Sequence, residues 1–105
     1  VAQFDVYVNR NHATRQAYPF LVDVQHSVLS DIATRLVVPL TALNTKPGMH
    51  MKRVTPEIVI EGTSYLFMTP LMASVSSKLL RDPVGTLESA RYALTSAIDF
   101  AITGI

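Results

Sequence analysis

The sequence predicts an α+β chain that is mostly β, a curled antiparallel sheet or small barrel with one helix packed on it at the C-terminal end. Three observations predict this class. Short apolar stretches, alternating or continuous, recur along the chain and are separated by polar residues, proline or glycine. The last twenty or so residues change to a helical spacing, with Leu87, Leu94, Ile98, Ala101 and Ile105 three, four or seven apart. No repeat, low-complexity run or linker divides the 105 residues, so 1–105 reads as a single domain.

Gln3 to Val8 alternates, which predicts a strand with Phe4, Val6 and Val8 on one face. Residues 9–17 are polar and aperiodic and read as a loop. Pro19 to Gln25 reads as a second strand, with proline at its start, where a missing N–H costs least. His26 to Thr34 reads as a turn or short connecting helix carrying Val28 and Leu29 side by side. Arg35 to Leu40 is almost wholly apolar, so it reads as a strand covered on both faces. Lys46-Pro47-Gly48 marks a turn, since proline fixes φ and glycine permits positive φ. Glu57–Glu61 and Thr63–Met68 flank Gly62 and read as a hairpin. Leu71 to Val75 reads as a further short strand. Asp82, with Pro83 at the first helical position, or Thr86 could cap the terminal helix, and Thr86 is favoured because Gly85 would weaken a first turn.

Phe100, Ala93 and Ala97 give that helix a second apolar strip, so it is too hydrophobic to have one buried and one fully wet face. A terminal helix ending in Thr103-Gly104-Ile105 would ordinarily fray, and apolar residues kept there point either to contact with another protein or to a core helix with a short untidy tail.

Composition narrows the function. Hydrophobic residues are 49% and charged residues 16%, with mean hydropathy +0.28, which fits a globular protein that buries more surface by oligomerising. No run of about 18 apolar residues predicts a membrane span. The alternating, early-acid start does not read as a signal peptide. The absence of cysteine removes disulfides and thiolate metal sites. A net charge of +1 lacks the footprint of a nucleic-acid binder.

Catalytic patterns are missing. His12, His26 and His50 stand far apart, outside H-x-x-x-H or H-E-x-x-H spacing, and neither a G-x-S-x-G elbow nor a glycine-rich phosphate loop occurs. No cofactor or metal is therefore expected. Glu57 and Glu61 bracket an apolar strand in the usual solvated pattern, and Lys46, Lys52, Arg53, Arg10 and Arg15 read as solvated loops. Met49, Met51, Met68 and Met72 read as core fillers or adaptable contact residues. Asp23 and Arg35 differ, each being one ionisable group in an otherwise apolar strand, and neighbouring strands would let them pair as a structural ion pair.

Gln3-Phe4-x-Val6-Tyr7, Phe20-Leu21-Val22-Asp23-Val24-Gln25, Arg35-Leu36-Val37-Val38-Pro39-Leu40, Met72-Ala73-Ser74-Val75 and Ala97-Ile98-x-Phe100 with the closing Gly104-Ile105 resemble the CcdB family, in its order and over nearly the whole chain. CcdB is the toxin of the ccd toxin–antitoxin module. The resemblance implies an SH3-like barrel with a small additional sheet and a C-terminal helix, forming a cytoplasmic bacterial homodimer. It implies a protein that is not an enzyme but binds the A subunit of DNA gyrase and traps the gyrase–DNA cleavage complex. A CcdA-like antitoxin would neutralise it and make the DNA contacts of operon repression, so no direct nucleic-acid binding by the toxin itself is expected. The lack of a long apolar run leaves no membrane partner expected either.

Carried over by position, the gyrase-binding residues fall on Val28, Leu29, Asp99, Ile102, Thr103, Gly104 and Ile105. Thr103 departs from the tryptophan of many members and cannot stack on an arginine, so binding would rest more on the aliphatic residues around it. The first loop, 9–17, is longer than in the plasmid toxin, and no antitoxin contacts are carried onto it. Two other functions fit the chain less well: a MazF/Kid-like endoribonuclease on the same barrel, with Arg35 and Asp23 or His50 and Arg53 as its only candidates, and a non-toxic relative acting as antitoxin decoy.

Overall fold

Residues 2–26, 32–43 and 53–104 are described by the computed structural model. Strands β1 (Asp5–Val8), β2 (Phe20–Asp23), β3 (Thr34–Ala42), β4 (Glu57–Ile60), β5 (Thr63–Phe67), β6 (Ala73–Ser76) and β7 (Gly85–Thr86) precede one helix, α1 (Arg91–Thr103). The seven strands join in one sheet in the order β4-β5-β3-β2-β1-β7, with every pairing antiparallel and β6 branching from β3. The sheet curls into a nearly closed SH3-like barrel with α1 as its helix.

Strand β3 is the hub. It pairs β2 along one edge through Val37–Leu40, and on the other edge β6 through Thr34–Val37 and then β5 through Leu40–Ala42. Pro39 sits where β6 has ended and β5 has not begun, and its carbonyl accepts from Met68 N–H on that edge at 2.9 Å. A residue that cannot donate fits the one stretch of that edge without a ladder.

Two apolar layers explain why these strands read as continuous runs. Phe4, Val6, Val22, Val24, Val38, Leu40, Ile58 and Phe67 form the main core with Leu87 and with Leu94 of α1. Tyr7, Leu21, Val37 and Leu80 form a second cluster, against which Val75 packs. A strand buried on both faces loses its polar alternation. The expected single apolar face of β1 is corrected accordingly: Phe4 and Val6 are buried, Tyr7 is buried among the second cluster, and Val8 is 39% exposed. In β3, Leu36 is exposed although its neighbours are covered.

The hairpin of β4 and β5 turns on Glu61 and Gly62, with φ of 50° and 81°, as a two-residue turn that matches strand twist requires. Two starts move from their expected places. β6 begins at Ala73 because Thr69–Leu71 form a 3₁₀ turn with proline in it. α1 begins at Arg91, not after Thr86, because Thr86 pairs with Asp5 in β7 while its hydroxyl accepts from Glu88 N–H at 3.2 Å to start a 3₁₀ turn over Glu88–Ala90. The turn expected at Lys46-Pro47-Gly48 lies outside the described residues.

Candidate functional site

Two places on this frame concentrate chemistry. The first is buried. Asp23 ends β2 and Arg35 opens β3, and their side chains are 0% and 1% exposed. Arg35 Nη2 lies 2.8 Å from Asp23 Oδ2, and Nε donates to the same oxygen at 3.0 Å. Gln25 ties this pair to the base of the following connection. Its N–H donates to Asp23 Oδ1 at 3.0 Å, its carbonyl accepts from Arg35 Nη2 at 2.9 Å, and its side-chain oxygen accepts from Leu36 N–H at 3.0 Å. The Gln25 amide thus extends the ladder where β2 has stopped pairing.

Burial pushes the Asp23 carboxyl up from the ordinary carboxylate value, opposed by the Arg35 guanidinium and the Gln25 N–H. Tyr7 belongs to the same region. Its hydroxyl meets no partner at hydrogen-bond distance among the described residues, and burial, then the Asp5 and Asp23 carboxylates, push the phenol up to about 12. Arg35 Nη1 is likewise without a partner among the described residues. A guanidinium and carboxylate locked together with no surface of their own are sealed from any substrate. Their removal from solvent fits a structural pair rather than an acid–base pair.

The second place is the end of α1. Only Leu94 and Ala97 of this helix are buried, with Ile98 and Phe100 half-buried beside them. Tyr92 and Ile102 are 86% and 72% exposed, and Asp99, Thr103 and Gly104 are exposed too. Gly104 closes the helix in the left-handed conformation, φ 77°, its N–H donating to Phe100 O at 2.8 Å. The Thr103 hydroxyl donates to Asp99 O at 2.7 Å. These bonds hold the tip in helical form while leaving its side chains outside the core. On its flank the Arg53 guanidinium lies over the Phe100 ring, 4.1 Å from the centroid.

Asp99, Ile102, Thr103 and Gly104 are therefore brought together at one exposed helix end, whereas Val28, Leu29 and Ile105 lie outside the described residues. Sequence reasoning missed the Arg53–Phe100 contact, which no spacing encodes, and the part played by Gln25. The glutamine closing Val-Asp-Val-Gln, right after the buried acid, was the available signal.

A cavity of about 220 Å³ opens on the sheet face that carries the second cluster. Apolar Leu21, Val37, Val75 and Leu79 line it together with Asn9, Thr14 and Tyr18. The Asn9 amide is spent on Thr14 Oγ1 and Tyr18 O, so its Nδ2 donors are already occupied. Among the described residues no group of three or more His, Asp or Glu side chains could hold a metal ion, and no helix is long and apolar enough to cross a membrane.

A protein-family model described as CcdB protein matches residues 3–104. The chain belongs to the CcdB family. That makes it a toxin-family protein of a toxin–antitoxin system, with an antitoxin as a partner. Solved structures share the CcdB-family chain's fold. An endoribonuclease from a mycobacterial species is 15% identical with a TM-score of 0.65, covering 97% of this chain and 90% of that one. The Mycobacterium tuberculosis toxin MazF-mt6 is 16% identical with a TM-score of 0.63, covering 92% and 94%. At such identities the likeness is one of fold.

Proposed function

We propose that this CcdB-family toxin acts by binding, as a cytoplasmic homodimer whose paired helix tips engage the A subunit of DNA gyrase and trap the enzyme on cleaved DNA. The observation that carries the reading is the α1 terminus, where Ile102 is 72% exposed at a helix end capped by Gly104. An ordered apolar tip without a core partner among the described residues is what a protein-docking anchor needs. In a two-fold dimer two such tips would form one doubled patch. Val28 and Leu29 are proposed to extend it, with Asp99, Thr103, Gly104 and Ile105 around Ile102. Threonine supplies little stacking area, so the aliphatic contacts are the main source of affinity in this reading.

The fold it shares with endoribonucleases gives a second reading, RNA cleavage. Against it stands the burial of Asp23 and Arg35, which removes one candidate pair from solvent. Of the other pair, Arg53 is stacked on Phe100 and His50 lies outside the described residues. Purified protein incubated with a long RNA separates the readings. The gyrase-binding reading expects intact RNA, and specific cleavage that Arg53→Ala abolishes would support the second.

A further inference from the structure

We propose that Arg53 belongs to the docking surface at the helix tip and recognises an acidic side chain on the gyrase A subunit, an inference that rests on the gyrase reading. Phe100 and Thr103 are three residues apart and so neighbour each other on α1, whereas Ile102 lies on the other flank of the tip. Arg53, exposed, covers Phe100 and so widens the tip on the Thr103 side.

A second arginine in the same fold shows what such a group does when satisfied. Arg91 lies over the Phe4 ring, 4.8 Å from the centroid, and in that pose its Nε and Nη2 hold Glu88 Oε1 and Oε2 at 2.6 and 3.0 Å. The ring takes one face of the planar guanidinium, and the carboxylate takes the in-plane donors. Arg53 has the ring but, among the described residues, no carboxylate. The ion pairs among the described residues are Arg35 with Asp23 and Arg91 with Glu88. Arg53 is exposed and its guanidinium carbon is held over the ring, so it can offer its in-plane donor edge to a partner on the Thr103 side of the tip. A planar two-oxygen acceptor on the partner fits that edge, and binding it would complete on Arg53 the arrangement Arg91 makes internally.

Calorimetric titration of the full chain into the purified gyrase A subunit without DNA, at two salt concentrations, tests this. Arg53→Ala is expected to weaken binding about tenfold, Arg53→Glu more, and Arg53→Lys less than either. The salt dependence of binding should be shallower for Arg53→Ala than for the unaltered chain. Thermal unfolding of each variant checks that it is folded, and Arg53→Lys carries the comparison if Arg53→Glu is not. If Ile102→Glu abolishes binding while Arg53→Ala and Arg53→Lys bind like the unaltered chain, this inference falls and the gyrase reading stands. An effect of Arg53 seen only with DNA present points to a phosphate and overturns the acidic partner. Absence of binding by the unaltered chain overturns the gyrase reading and this inference with it.

Discussion

At the scale of single residues, the Asp23–Arg35 pair makes the sharpest demand. Both groups are out of water, so removing one leaves a charge with no counter-charge among its bonded neighbours. Arg35→Met is expected to cost about 3–5 kcal/mol in urea unfolding, whereas Asp23→Leu combined with Arg35→Met should recover most of that loss. Tyr7 adds a pH dependence. Its folded-state phenol is raised from 10.0 to about 12, so the folded state keeps the proton better than the unfolded chain. Stability from this group is full below pH 10.0 and is lost as pH rises toward about 12. Two pKa units correspond to roughly 3 kcal/mol. Stability measured across that window should fall less steeply in Tyr7→Phe, which at neutral pH should change stability by under about 1 kcal/mol because the hydroxyl meets no partner at hydrogen-bond distance among the described residues. The pair was legible because a lone acid and a lone base each interrupted an apolar strand. Tyr7 was not, because Phe4-x-Val6 alternation points to one buried face and carries no sign that a second layer covers the other.

Among the elements, the hairpin and the helix carry separate tests. Glu61 holds φ at 50°, a region that costs a branched or long side chain energy and that asparagine tolerates. Glu61→Asn should raise stability by about 0.5–1 kcal/mol in thermal unfolding, by relieving the turn without touching the core. Leu94 is the buried anchor of α1, and Leu94→Ala should cost about 2–5 kcal/mol. Deleting Thr103–Ile105 should leave a folded protein, because the described residues there are exposed, yet abolish the trapping of gyrase. The hairpin was readable from Gly62 between two apolar runs. The helix start was misplaced because Thr86 has the chemistry of a cap but is held in β7, a strand of two residues that no periodicity can reveal. β6 slipped for a similar reason, its apolar lead-in Leu71 being taken up by a proline-containing 3₁₀ turn.

For the molecule as a whole, barrel and terminal helix were foreseen because each rests on summed patterns rather than on one boundary. The candidate site was foreseen only in part. Apolar spacing marked the helix tip, but the stack of Arg53 on Phe100 joins two segments that the sequence keeps far apart. The proposed dimer predicts a two-chain mass in size-exclusion light scattering, reduced toward one chain if tip and interface are continuous and Ile102→Glu disturbs both. The central claim, poisoning by docking without bond chemistry of its own, is tested most directly by a supercoiled-plasmid cleavage assay with purified gyrase. Linear DNA released only after detergent and protease, and lost with Ile102→Glu, is the expected result. Plasmid left uncleaved by gyrase at saturating protein would contradict the account.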